Sequence, residues 1–453
     1  MAFPMLAGTF AMNAYSLTDT WFVSRLGTLP LAAMGYTFPV VMLLTCVARG
    51  IGSGVTTLVS HAIGRHDHGD AARLVGHGML LTLAVTAVMS AGGYVLIGAI
   101  FTRLGADGQT LPLIGQYMRT WYVGAVFMTL PMLGHGVLIS AGDSRAAGAL
   151  MVAGTIVNLI LDQIFIFGWL GLPAMGMSGA ALATVIAQGV STAWLIYLLV
   201  AKHRLLGRRS LDLSRWGESL GSITRFAVPS IMSMVLMPVS ATVITWLLSG
   251  FGHEAVAASG AAGRIEMFAF MVPMALGISL TPFVSQNFGA GRLDRVREAR
   301  KVATAFAIGY GVLTTLVFCL AAPLLAAVFT QDPQVARTLV HYIRIVSIGY
   351  GMMEVHRYCG FFLTGMHRPI SATLLNAVRV LILLIPLSCL GASLGGVVGI
   401  FTGRAATDIL AGIIGIVWAS RALNDAAVAA AGKALPLPAA LSDDAPRRLG
   451  TGA

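Results

Sequence analysis

Long apolar runs separated by short polar turns recur along the whole chain. They fall at 3–25, 32–60, 75–101, 113–140, 146–169, 176–201, 226–249, 256–286, 302–329, 337–365, 370–390 and 396–420. A helix that crosses a bilayer needs ~20 mostly apolar residues, so each run predicts one span. Glycine and proline inside the runs fit this reading, because both are more frequent in membrane helices than in soluble ones. The expected fold class is an all-α membrane protein of twelve transmembrane helices. The first run reads as a mature span and not a signal peptide, being too long and lacking a charged leading region.

The runs repeat. A shift of 225 places Ala2-Phe3-Pro4 on Ala227-Val228-Pro229, Trp21 on Trp246, Gly27 on Gly252, Gly35 on Gly260, Val59-Ser60 on Val284-Ser285 and Gly64 on Gly289. Six helices is an even number, so both halves enter the membrane from the same side. They form two parallel six-helix repeats in a two-lobed, V-shaped bundle, the layout of secondary transporters. The domains expected are an N-terminal lobe over 1–201, a cytoplasmic linker over 202–225, a C-terminal lobe over 226–421 and a disordered cytoplasmic tail over 422–453. The second repeat opens with an amphipathic lead-in, Leu211-Asp212-Leu213-Ser214-Arg215-Trp216, that three residues before Pro4 cannot match. The first lobe is therefore expected either to lack this lead-in or to begin upstream.

Composition narrows the class. Only 10% of the 453 residues are charged and 57% are apolar, against about 25% charged in a soluble protein. A soluble enzyme and a disordered chain are both excluded, and no interval is left for a catalytic domain. The net charge of +11 belongs to membrane orientation, not nucleic acid. Of 29 Lys and Arg, 19 fall in the even-to-odd loops and C-terminal segment, three (Arg25, Arg103, Arg337) in the opposite loops, and seven inside spans. That bias predicts cytoplasmic termini in a bacterial inner membrane. The four cysteines lie in apolar runs without a C-x-x-C pair and read as buried thiols.

The run Thr18-Asp19-Thr20-Trp21-Phe22-Val23-Ser24-Arg25-Leu26-Gly27 resembles the first-helix signature of multidrug and toxic compound extrusion (MATE) transporters. So do Gly50-Ile51-Gly52-Ser53-Gly54, Asn158-Leu159-Ile160-Leu161-Asp162 and Gly176-Met177-Ser178-Gly179. The resemblance covers residues 2–420 and is nearest to the DinF-like branch. It implies a cation-coupling site of Asp19, Asp162, Asn158 and Thr184, with H⁺ or Na⁺ as coupling ion and no other metal or cofactor. It also implies a helix-1 bend at Pro4.

The residues support that site independently. Twelve ionisable side chains lie inside spans, and each costs roughly 2.5–3.5 kcal/mol at a helix centre facing lipid. They must pair or line a wet cavity. Asp19 and Asp162 each lie ~9 Å below the same end of their helices, with Asn158 one turn deeper and Thr184 ~12 Å down its own helix. Oxygens at one level suit a proton or Na⁺. The second lobe lacks these acids: Asp19 lands on Ile244. It carries instead a polar network of Glu266, Glu354, Arg357, Arg379, Arg404 and Asp408, in which Glu354/Arg357 and Arg404/Asp408 are spaced to pair along their own helices.

The function expected is secondary active efflux: antiport of amphipathic, cationic compounds against H⁺ or Na⁺ by a monomer whose partners are small-molecule drugs and membrane lipid. One alternative is a lipid-linked glycan flippase, which needs arginines for pyrophosphate. A remote one is an intramembrane protease built on Ser178 of Gly176-Met177-Ser178-Gly179.

Overall fold

The computed structural model describes residues 7–434 except 12–13, 15–17, 20, 24, 208–209, 211 and 331. The described residues between 7 and 23 are helical and form α1. Pro4 lies outside the described residues. There follow α2 (Thr28–Gly64), α3 (His68–Val95), α4 (Thr110–Ser140), α5 (Ser144–Phe167) and α6 (Gly176–Tyr197, extended by a π turn over Leu198–Lys202). The second half begins with α7 (Trp216–Ser249). Next are α8 (His253–Ala269 and Met271–Gly289, bent by 57°) and α9 (Leu293–Phe329). In α10, Pro333–Val346 and Tyr350–Gly365 are joined through a 3₁₀ turn. The last two helices follow Pro369 without an intervening loop. α11 runs over Pro369–Ala377 and a π turn, Val378–Leu384, and on from Ile385. α12 follows the break at Gly395 and Gly396 and ends at Ala434.

Among the described residues, eight continuous helices are long and apolar enough to cross a membrane, and bent α8 makes a ninth. One of the eight, Pro369–Val428, holds both α11 and α12. Gly396, at φ 56°, turns the chain back, and Gly391 then meets Gly399 while Gly403 meets Leu387. With α10 and α1 this gives the twelve spans read from the apolar runs. Ion pairs and caps fix the turns between them. Asp67, Asp143 and Asp332 each accept a backbone N–H at the start of the following helix, which satisfies donors a helix start leaves open.

The boundaries differ from expectation at two places. The linker is shorter, because α7 already begins at Trp216. Its Asp212 carbonyl receives His77 Nε2 of α3 at 2.9 Å, so the lead-in is tied to the first lobe. At the C-terminus α12 stays helical to Ala434, past residue 422 where a disordered tail was expected. The cysteines also differ: Cys46 and Cys359 are buried, Cys319 is half-buried and Cys389 is exposed.

The lobes meet at the arginine-rich end of the bundle. A side chain on Gly64 would strike the carbonyl of Gln286, and one on Gly289 would meet His61. The 225 shift turns the first pair into the second, so the pseudo-twofold axis passes through this crossing of α2 and α8. Among the described residues, the inter-lobe hydrogen bonds all lie at this end. Ser285 Oγ donates to the Thr57 carbonyl at 2.7 Å, Gln286 Nε2 donates to the Ser140 carbonyl, and Arg73 Nη1 donates to Ser219 Oγ at 3.2 Å. Glycines let α2 lie directly on α7: Gly50 faces Ile231 and Ala227, and Gly54 faces Ile223 and Phe226.

Candidate functional site

α1, α5 and α6 bring the four expected oxygen-bearing residues of the first lobe together. Asp19, Asp162, Asn158 and Thr184 are all buried, Asp162 completely. Asn158 and Asp162 share one face of α5 because four residues make about one helical turn. Asn158 Nδ2 lies 3.5 Å from Asp162 Oδ1 and 3.4 Å from Thr184 Oγ1, and both distances are at the long limit for a hydrogen bond. Asp19 Oδ1 and Asp162 Oδ2 are buried without any hydrogen-bond partner, and the two carboxylates act on each other electrostatically.

A buried carboxylate oxygen without a donor is costly. The arrangement is relieved if a proton is shared between the acids or if a cation accepts their lone pairs. Two carboxylates, an amide oxygen and a hydroxyl are the hard ligands that Na⁺ or a proton takes. Among the described residues, no group of three or more His, Cys, Asp or Glu is placed to hold a metal ion.

The second-lobe residues also come together, but with other partners than spacing suggests. Arg404 does not pair with Asp408. Its Nη2 donates to both oxygens of Glu266, at 2.8 and 2.9 Å. Asp408 instead accepts from Nε and Nη2 of Arg379, at 3.1 and 2.6 Å. Four residues along α12 leave Arg404 facing α8 and α10 while Asp408 faces α11, and each finds its charge across helices. Glu354 and Arg357 do lie together on α10, 3.1 Å apart. Arg357 also reaches Met274 Sδ at 3.7 Å and sits over the Phe270 ring.

Sequence reasoning missed the two tyrosines that complete the Glu266 site. Tyr342 and Tyr350 hydroxyls donate to Glu266 Oε1 at 2.8 and 3.0 Å, and Arg404 Nη1 donates to the Tyr342 hydroxyl. Their separation of eight residues on α10 is a two-turn spacing that could have marked one polar face, had it not been hidden among apolar neighbours. Ser178 is a helix-start residue whose hydroxyl donates to the Met175 carbonyl at 2.8 Å. It is not a nucleophile.

The family model for MatE matches residues 4–164 and, separately, 229–390. The two matches start 225 residues apart (229 minus 4), the shift found in the sequence. The chain belongs to the MATE family of membrane transporters and is not an enzyme. It is 37% identical over 413 residues to the FAD transporter of Shewanella oneidensis, covering 91% of each chain. To the multidrug export protein MepA of Staphylococcus aureus it is 24% identical, over 80% of this chain and 79% of MepA. The crystal structure of the Vibrio cholerae MATE transporter VcmN in its bent form superposes with a TM-score of 0.90 at 29% identity, over 94% of this chain and 96% of that one. An outward-facing multidrug resistance MATE transporter superposes at 0.87, with 25% identity, over 94% and 95%.

Proposed function

We propose that this chain is an antiporter of a bacterial inner membrane, with cytoplasmic termini, that couples inward flow of H⁺ or Na⁺ at Asp19 and Asp162 to export of amphipathic organic compounds. The observation that carries this reading is the pair of buried carboxylates, each with an oxygen that no protein donor meets and, among the described residues, neither in an ion pair. With the arginine-rich end on the cytoplasmic side, lobes joined there leave the cleft open outward. A cation at Asp19 and Asp162 favours the state that releases cargo, and cargo binding from inside must by linkage favour cation release.

The cargo has two readings. Cationic drugs follow from the multidrug name of MepA. Flavin dinucleotide follows from the name of the Shewanella oneidensis relative, which is the more similar of the two. A lipid-linked glycan flippase fits less well, because Arg357, Arg379 and Arg404 of the second lobe are each within ion-pair distance of an acid.

The test is efflux from liposomes that contain the purified chain, with ethidium as probe and an imposed pH or Na⁺ gradient. The wild type is expected to respond to one of the two gradients, and Asp19→Asn to lose that response. An Asp19→Asn variant that remains gradient-driven sinks the assignment.

A further inference from the structure

We propose that the floor of the inter-lobe cleft holds a binding site for a phosphate or diphosphate ester, with Arg49 of α2 as its specificity-determining residue. The proposal rests on the transporter reading and names the class of its cargo.

Arg49 lies 15 residues before Gly64, so it stands ~22 Å from the closed end of the lobes, at the middle of a membrane. Its direction follows from its neighbours on α2. Successive residues turn by about 100°. Gly52 packs on Leu133 and Thr56 on Gly136, both of α4. Gly50 and Gly54 pack on α7, while Thr57 and Gly64 meet α8. Arg49 falls between these two faces, in line with Ser60, which bonds Ser140 of α4 at 2.7 Å. It therefore points into the wedge between α4 and the second lobe, not toward lipid. There Arg49 is exposed, as a group lining a cleft is.

Arg49 has no acid. Among the described residues it is in no ion pair, in contrast to Arg357, Arg379 and Arg404. A guanidinium with no partner in the protein is a ready bidentate donor for phosphate oxygens. Arg119, Arg264 and Arg344 also lack ion pairs, but each lies within about a dozen residues of the far end of its helix. A long side chain there reaches the interface; Arg49 is too deep.

The second lobe adds to the same level. The 225 shift carries Arg49 onto Met274, the residue that Arg357 touches. Each lobe thus presents one guanidinium at this level, and Glu354 neutralises only the one on α10. The surplus positive charge suits an anion. A drug cation gains nothing from it.

The test is quenching of flavin fluorescence by the purified full-length protein in detergent, with FAD, FMN and riboflavin as probes. FAD and FMN carry phosphate and riboflavin does not. The wild type is expected to bind FAD at least tenfold more tightly than riboflavin, and Arg49→Gln to lose most of that preference. Arg49→Lys should keep part of it, since a cation remains without the bidentate fork. The thermal melting profile of both variants reports folding. Displacement of FAD by inorganic pyrophosphate supports a soluble phosphate ester as cargo. Displacement by a short polyprenyl diphosphate alone supports the same site with a lipid-linked source. Equal affinity for FAD and riboflavin in the wild type, or an unchanged preference in a folded Arg49→Gln variant, overturns the proposal. The underlying reading fails separately, if the wild type moves neither ethidium nor FAD across a membrane.

Discussion

In the first lobe, Asp19 and Asp162 each keep a buried oxygen without a hydrogen bond, and among the described residues neither is in an ion pair. In the second, Glu266, Glu354 and Asp408 each lie within ion-pair distance of an arginine (Arg404, Arg357 and Arg379 in turn), although both oxygens of Glu354 and Oδ2 of Asp408 lack a hydrogen bond too. The backbone repeat is close enough that Gly64 and Gly289 swap roles across one axis. The difference therefore lies in side chains that the repeat does not preserve. Acids paired across helices hold those helices together. Acids that lack partners can change state cheaply, and a coupling site needs such a change. On the proposed function, one fold thus supports a working lobe and a supporting lobe.

The largest effect expected is loss of coupling. Asp162→Asn keeps size and removes the titratable group, and efflux should fall by at least a hundredfold with normal insertion. Glu354→Gln in the second lobe should leave the dependence of drug affinity on pH or Na⁺ in place. Drug fluorescence titrated over pH at fixed Na⁺, then over Na⁺ at fixed pH, measures both. If Glu354→Gln flattens these curves and Asp162→Asn does not, the roles of the lobes are reversed.

Next in size is stability in the second lobe. Removing one partner of a buried pair leaves the other charge unpaired, at a cost of about 3–5 kcal/mol. Glu266→Ala and Arg404→Ala should each lower the melting temperature, and the double variant should recover part of the loss. Arg404→Ala combined with Asp408→Ala should show no such recovery, because those two residues bind different partners. Recovery there would mean that the pair along α12 exists after all.

The spans, the repeat and the oxygen cluster were all legible in the sequence, because each rests on a period: ~20 apolar residues, 225 residues, or depth counted along a helix. The Arg404/Asp408 pairing was not. An i, i+4 spacing reports only what one helix could do alone, and Glu266 stands 138 residues from Arg404. Arg357 was legible because its acid is on its own helix. The π turn in α11 leaves no mark on an apolar pattern. Neither does the crossing of α2 and α8, which depends on two glycines meeting residues from the other lobe.

The smallest effect concerns the closed end, where the lobes also differ. His61 of α2 corresponds to Gln286 at the 225 shift, so the crossing carries a histidine on one side and an amide on the other. His367, in the turn between α10 and α11, lies tilted against His61 with ring centroids 4.1 Å apart and contacts Phe226 and Phe288. Burial, then the nearby His61, Arg225 and Arg65, push its pKa down from 6.5 to about 3. The sign follows directly. An opened state returns His367 to water and to its ordinary pKa. Between about pH 6.5 and 3 that open state binds a proton that the closed state refuses, so closure is fully supported above pH 6.5 and weakens as pH falls through this window. At pH 5 the loss should be about 1–2 kcal/mol, allowing for the partial exposure of the ring. Spin labels across the crossing, on α3 and α9, should report a wider separation at pH 5 than at pH 7.5 in the full-length protein. His367→Leu should reduce that change without altering the distance at pH 7.5. If the variant opens with acid as far as the wild type does, then His367 is not the group that senses it, and the remaining titratable group at the crossing is His61 on the first lobe.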